Sequence, residues 1–291
     1  MTYRSILRQD CFSGQTIVVT GGGSGIGRCV AHELASLGAH VVITGRRQEK
    51  LDGVLAEIAE DGGSAEARAF DIRDEEAVKA AVASIVSARG RIHGLVNNAG
   101  GQFPAPMQSI SKKGFDAVVA NNLTGGFLVM REVYLQAMEA AGGAIVNTAA
   151  DMWRGMPGMA HSGAARAGMV NLTKTAAYEW GPAGVRVNCV APGWVASSGM
   201  DTYDGMTRAL IPTLKKHVPL GRIGVEAEVS AVICFLLSPA ASFVTGVTVP
   251  IDGGSPLGSA LFPIGKGRGT EPFDGFHRAV VPDVLSGKDA G

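Results

Sequence analysis

The chain has 291 residues, 46% hydrophobic and 18% charged, with 26 Lys and Arg balanced by 26 Asp and Glu. With no net charge it has no electrostatic pull toward nucleic acid or an anionic membrane, and its length fits one large α/β domain. No run approaches the roughly 20 apolar residues of a membrane helix. Met1 to Asp10 lacks the apolar core of a secretory leader, so a cytoplasmic protein is expected. Cys11, Cys29, Cys189 and Cys234 show neither metal-ligand nor disulfide-framework spacing. They read as small buried hydrophobes, and no metal site is expected.

From residue 16 onward, apolar runs alternate with amphipathic segments. Thr16 to Thr20 is a continuous apolar run, as suits a parallel strand covered on both faces. Ile26, Val30, Leu34 and Leu37 follow at helical spacing, and Gly38 closes that helix. Val41–Ile43 predicts the second strand, and Leu51, Leu55 and Ile58 mark the second helix. The third strand is expected over 67–71, with Asp74 capping the helix through Val78, Val82 and Ile85. Strands at 94–97, 144–147 and 185–190 follow, with long helices near 114–140 and 161–180. A helix through Val229, Val232, Phe235 and Leu236 leads to a last strand at 248–251. This rhythm predicts one doubly wound, Rossmann-like α/β domain over 12–254, its seven-stranded, mostly parallel sheet carrying helices on both faces. Residues 255–291 form a Gly- and Pro-rich extension without periodicity, either covering a neighbouring subunit or partly disordered.

Between the first strand and its helix stands Thr20-Gly21-Gly22-Gly23-Ser24-Gly25-Ile26-Gly27. Glycines there let the backbone approach a pyrophosphate, and the helix start offers free N–H groups. The second strand ends in Gly45-Arg46-Arg47 rather than in the acidic residue that would bind a ribose 2′-hydroxyl. Arg46 and Arg47 suit a 2′-phosphate, so NADP(H) is the expected cofactor.

These blocks resemble the short-chain dehydrogenase/reductase family over about residues 12–254. The likeness rests on the Thr20–Gly27 string, Asp71, Asn97-Asn98-Ala99-Gly100 and Asn122-Leu123-Thr124-Gly125. Asn188 to Gly193 and Asp252-Gly253-Gly254 complete it. The resemblance implies that Asp71 and Ile72 hold the adenine and that Asn98, Ala99 and Gly100 line the coenzyme pocket. Pro192, Gly193 and Val195 would meet the nicotinamide. It also implies a homodimer or homotetramer.

The family's usual catalytic set is Asn, Ser, Tyr and Lys. Here Asn122 is retained, Ala149 takes the serine place, Ser162 the tyrosine place and Arg166 the lysine place. The string His161 to Gly168 resembles the branch of trans-2-enoyl-CoA reductases. In the related 2,4-dienoyl-CoA reductases a tyrosine stands where this chain has Asp151. Reduction of a conjugated C=C bond needs a donor at the acyl oxygen, whereas ketone reduction needs an acid there. Ser162 is the candidate donor, unless it serves as a helix cap. Arg166 is a fixed cation for the nicotinamide ribose, Asp151 an acid or a polar anchor, and His161 a proton carrier or a structural ring. Asn122 would order water or a helix kink.

Methionines 107, 152, 156, 159, 200 and 206, with Trp153 and Trp194, fall in loops expected to frame a cleft for a long acyl or terpenoid chain. The segment 197–224, with Tyr203, Leu210, Ile211 and Leu214, reads as its lid. Lys215, Lys216, His217 and Arg222 either meet coenzyme A phosphates or form a solvated face. An NADPH-dependent reductase of a trans-2-enoyl-CoA is expected. Dehydrogenation or reduction of an alcohol or carbonyl, such as citronellol or citronellal, is the alternative, and cofactor binding with little catalysis is a third reading.

Overall fold

The computed structural model describes residues 2–257, 265 and 269–286. Seven strands form one sheet: β1 (Thr16–Thr20), β2 (His40–Gly45), β3 (Ser64–Ala69), β4 (Gly94–Asn97), β5 (Gly143–Thr148), β6 (Val185–Pro192) and β9 (Thr248–Ile251). Their order is β3-β2-β1-β4-β5-β6-β9, and every neighbouring pair is parallel. The chain reverses direction across the sheet between β1 and β4, where such folds open a crevice at the strands' carboxyl ends.

The central strands are buried along their length because helices cover both faces. On one face, α1 (Gly25–Ser36), α2 (Gln48–Glu60) and α8 (Glu226–Leu237) pack Leu34, Ile58 and Ile233 against Ile17, Val41 and Val146. On the other, α3 (Glu75–Arg89), α5 (Gly125–Val133) and α6 (Ala160–Trp180) pack Val82, Val133 and Ala177 against Val18, Leu95 and Ile145. Gly38 follows α1 at φ +89°, and a Cβ there would lie 2.6 Å from Ser13 Oγ, so both backbone and space require glycine.

The third strand begins and ends before the expected 67–71. As an edge strand it pairs with β2 alone, from His40↔Ser64 to Gly45↔Ala69, so that ladder sets its length rather than a buried apolar run. Asp71 therefore sits in the following loop, and Asp74 caps α3 through Ala77 N at 3.0 Å as expected.

The long helix expected over 114–140 is broken twice. α4 (Lys112–Val119) passes into a π turn, Ala120–Thr124, then α5, then a second π turn, Tyr134–Met138. Such an insertion rotates the side chains beyond it, and here it carries Asn122 inward. Two residue pairs of β7 (Val195–Ala196) and β8 (Gly224–Val225) close the base of the roof segment, which includes α7 (Gly205–Leu210). The side chain of Met206 and the remainder of the 255–291 extension lie outside the described residues.

Residues 269–286 run along their own chain. Phe276, 2% exposed, packs with Tyr3, Cys29 and Ala227. Arg278 pairs with Glu60 at 2.8 Å and Asp61 at 2.9 Å. Thr270 N donates to Leu220 O, and the Asp283 and Val284 amides donate to the Asp201 carboxylate at 3.2 Å. Single anchors separated by irregular chain leave no periodic signal, which is why this packing was not readable in advance.

Candidate active site at the carboxyl edge of the sheet

The glycine-rich turn joins β1 to α1 at the switch point. Gly21 and Gly25 have φ of +69° and +56°, and a Cβ on Gly27 would lie 2.3 Å from Gly21 O. Ser24 extends its backbone at the helix start without a side-chain cap, leaving the first N–H groups free for an anion. Thr20, fully buried, accepts from both Asn98 N and Ala99 N at 2.9 Å, and Asn98 Nδ2 donates to Thr20 O at 3.1 Å. The turn is thus tied to the loop after β4. The donors and the lack of Cβ atoms fit a dinucleotide pyrophosphate.

At the end of β2, Arg46 and Arg47 are exposed, and neither makes a side-chain hydrogen bond or ion pair among the described residues. Arg73 hydrogen-bonds Asp71 at 2.9 Å and, with a smaller pull from Arg46, holds its carboxyl at about 2. Ile72 turns its side chain into the core against Gly125.

Asn122, delivered by the π turn, exchanges hydrogen bonds with the backbone of Gly101 at 2.9 and 2.8 Å. That fixes the loop after β4. A Cβ on Gly100 would lie 2.5 Å from Arg166 Nη2 and 2.6 Å from Asn122 Oδ1, so only glycine fits between them. Arg166, one α-helical turn beyond Ser162, donates through Nη1 to Thr148 O at 2.6 Å. Burial brings its guanidinium down to about 10, still fully charged at neutral pH. Its Nε has no hydrogen-bond partner among the described residues.

Ser162 is wholly buried, and its hydroxyl donates to Gln102 Oε1. It is therefore Gln102, not Ser162, that reaches the cavity wall, and Gln102 Nε2 donates to Tyr203 Oη at 3.2 Å. His161 is also fully buried. Its Nδ1 accepts from Ser162 N at 2.9 Å, and its ring meets Phe103 edge-on at 4.5 Å. This ring is packed behind the site and does not line the cavity.

Asp151 lies just beyond β5, its amide donating to Pro192 O at 2.9 Å. Burial, followed by the nearby Asp252 carboxylate, raises its pKa above the ordinary range. Asp252 Oδ1 accepts from Gly254 N at 2.8 Å, while Oδ2 is buried without a partner among the described residues. A Cβ on Gly193 would lie 2.8 Å from the Asp252 backbone, so glycine there lets the two strand ends close up. Ala149 lies in the wall, leaving no hydroxyl at that place.

These groups surround a cavity of about 610 Å³ that takes in Ile26, Asn98, Gly100, Pro192, Gly193 and Val195 from the expected coenzyme set. Asp151, Arg166, Gln102 and Tyr203 form its polar wall, and Met156, Met159, Met200, Trp194 and Ile211 an apolar one. Met107 and Trp153 lie outside it, and Met152 packs into a small cluster with Ala149 and Val170. Arg222 is committed to Glu228 at 2.6 Å, whereas Lys215, Lys216 and His217 are exposed. Gln102 and Asp252 acquire their places here only through the fold, and no spacing rule links them to Tyr203 or Asp151.

Comparison with known proteins agrees with this architecture. A family model described as enoyl-(acyl carrier protein) reductase matches residues 15–255. The chain is 36% identical over 244 residues to a probable 2,4-dienoyl-CoA reductase of Bacillus subtilis, covering 82% of this chain and 96% of that protein. It is 37% identical to a peroxisomal 2,4-dienoyl-CoA reductase of Danio rerio, over 89% of this chain and 87% of the other. A citronellol catabolism dehydrogenase of Pseudomonas aeruginosa PAO1 has a solved structure that superposes with a TM-score of 0.80 at 61% identity. The match covers 88% of this chain and all of that one (100%). A parallel sheet opening on a glycine-rich turn, with the retained asparagine at a π turn and these relatives in agreement, makes the chain an oxidoreductase of the short-chain dehydrogenase/reductase family.

Proposed function

We propose that the protein reduces the conjugated C=C bond of a trans-2-enoyl-CoA with NADPH. The observation that carries the reading is the altered catalytic set: Ala149, Ser162 and Arg166 stand where the family's serine, tyrosine and lysine would, while Asp151 lines the cavity together with Arg166. Gly21 to Gly27 would hold the pyrophosphate, Asp71 and Ile72 the adenine, and Arg46 and Arg47 the 2′-phosphate. Asn98, Ala99, Gly100, Pro192, Gly193 and Val195 would border the nicotinamide.

When bound, the nicotinamide cofactor would supply a hydride to Cβ of the substrate. The π pair of the C=C bond then moves onto Cα and the acyl oxygen. Arg166 cannot relay a proton at neutral pH but keeps the site positive for this charge. Asp151, whose carboxyl keeps its proton further up the pH scale than a solvated one, gives that proton to Cα and recovers another from water. Methionines and Ile211 receive the acyl chain. The dienoyl-CoA reductase relatives support a thioester substrate. Exposed Tyr178 and Phe243 support association into a dimer or tetramer, and the absence of any membrane-length apolar helix among the described residues fits a cytoplasmic enzyme. Reaction of NADPH carrying deuterium at the transferable position, followed by mass analysis, tests the route. One deuterium at Cβ of a saturated acyl-CoA is expected, and an unlabelled or unsaturated product overturns it.

The 61% relative favours a second reading, a terpenoid alcohol or carbonyl compound in the same cavity. The apolar wall suits its branched chain equally. An aldehyde reduced faster than any enoyl thioester selects this reading.

A further inference from the structure

We infer that Tyr203 is the hydrogen-bond donor to the substrate's carbonyl oxygen, a phenol supplied by the roof of the cavity in place of one on α6. The inference rests on the reading that a conjugated carbonyl compound occupies the cavity.

Asn122, Ser162 and Arg166 Nη1 are committed elsewhere, and two nearby donors without a partner among the described residues, Arg166 Nε and Thr148 Oγ1, are buried with no exposed surface. Both polar atoms of the Asn122 amide are bonded to Gly101. The Ser162 hydroxyl gives its proton to Gln102 Oε1, and Arg166 Nη1 donates to Thr148 O. Tyr203 differs. Its oxygen accepts from Gln102 Nε2 at 3.2 Å, so its own O–H is not used in that contact, and among the described residues no acceptor takes it. The residue lines the cavity with Gln102, Asp151 and Arg166.

A glutamine amide can accept at one end and donate at the other. Ser162 donates to the accepting end, which turns the donating end toward Tyr203. The result is a directed chain from Ser162 through Gln102 to the phenol, ending in an O–H aimed at whatever enters the cavity. An N–H donated to the phenol oxygen also makes that O–H the better donor, because charge drawn to the oxygen is stabilised. Gln102 and Ser162 are positioning residues in this arrangement.

The roof holds the phenol in place. Tyr203 N donates to Met200 O at 3.3 Å, and two residues earlier the Asp201 carboxylate accepts the amides of Asp283 and Val284. The C-terminal segment thereby pins the turn that carries the donor.

A test that needs no turnover uses a conjugated dienoyl-CoA bound without cofactor. A hydrogen bond to the carbonyl polarises the conjugated system and moves its absorbance band to longer wavelength. Wild type is expected to produce the shift and Tyr203→Phe to lose it, with hydride transfer slowed about 100-fold. Affinity for NADPH should stay unchanged in this variant. Ser162→Ala should weaken the shift and slow transfer roughly five- to tenfold, with Ser162→Thr restoring both. A Tyr203→Phe enzyme that keeps the shift and stays within about threefold of the wild-type rate overturns the inference. If wild type neither binds nor reduces the thioester, the enoyl-CoA reading fails separately. The same comparison with a conjugated terpenoid aldehyde then decides the role of Tyr203, and an enzyme indifferent to both compounds overturns it as well.

Discussion

Asn122 and Gly101 clasp each other: Gly101 N donates to Asn122 Oδ1 at 2.9 Å, and Asn122 Nδ2 donates to Gly101 O at 2.8 Å. One side chain thus imitates a strand partner for the loop that also carries Gln102. The π turn is what brings it there, since Asn122 is 2% exposed deep between the helices and the sheet edge. Asn122→Ala leaves the Gly101 amide and carbonyl without partners, at about 1–3 kcal/mol for each group that finds no water. We expect a lower melting temperature together with slower turnover, because Gln102 moves with the loop. Asn122→Asp keeps the acceptor and loses the donor, so it should fall between. A melting temperature unchanged in Asn122→Ala would mean that the clasp does not hold the loop.

Glu226 gives the protein a pH dependence. It is buried, and desolvation raises its carboxyl to about 7 from 4.5, with Arg28 opposing weakly. The folded chain therefore keeps a proton that the unfolded chain releases. The resulting stability is complete below pH 4.5 and is lost as pH rises through 7, by about 3 kcal/mol in all. A Cβ on Gly25 would lie 3.9 Å from Glu226 Oε1, so this charge also stands beside the phosphate cradle. Glu226→Gln should raise the melting temperature at pH 8 but not at pH 5, and should tighten NADPH binding at the higher pH. Equal melting temperatures at pH 8 would contradict this.

The C-terminal segment is held chiefly by Phe276. Removing its ring leaves a cavity among Tyr3, Cys29 and Ala227, and such truncations cost about 3–5 kcal/mol where the site cannot collapse. Urea unfolding of Phe276→Ala should show a midpoint shifted well below wild type. Turnover should fall too, since Asp283 and Val284 no longer hold Asp201 in the roof. An unshifted midpoint would show that the segment contributes nothing to stability.

Arg46 stands exposed, without an ion pair among the described residues, at the end of β2, where an acidic residue would favour NADH. Arg46→Ala should raise KM for NADPH roughly tenfold, as expected for a lost charge-assisted contact, and leave KM for NADH nearly unchanged. Steady-state kinetics with both cofactors measure the ratio. Equal effects on the two would remove the 2′-phosphate from the role of Arg46.

Much of the fold was legible because buried parallel strands are apolar runs and helices repeat at their own period. Thr16–Thr20, Val185–Val190 and the α1 stripe carry these signals plainly. The third strand was misplaced because an edge strand takes its length from its partner, and Ser64-Ala65-Glu66 has no apolar signature. The glycine-rich turn and Asn122 were readable from local pattern. Tyr203 was legible only as part of the lid segment and Asp252 only as part of the closing motif. The roles of both, and of Gln102, come from contacts spanning 60 residues from Gln102 to Ser162 and 101 from Gln102 to Tyr203, and from the approach of Asp252 to Asp151. Ser162 was singled out as the donor to the substrate oxygen, yet its burial sends its hydroxyl to Gln102 rather than into the cavity.

The most direct measurement is NADPH oxidation, followed by absorbance, with a medium-chain trans-2-enoyl-CoA and with citronellal at matched concentrations. The account predicts rapid oxidation with the thioester, slow oxidation with the aldehyde, and a rate that falls as rising pH deprotonates Asp151. Oxidation by the aldehyde alone, or by neither while NADPH binds, would contradict it.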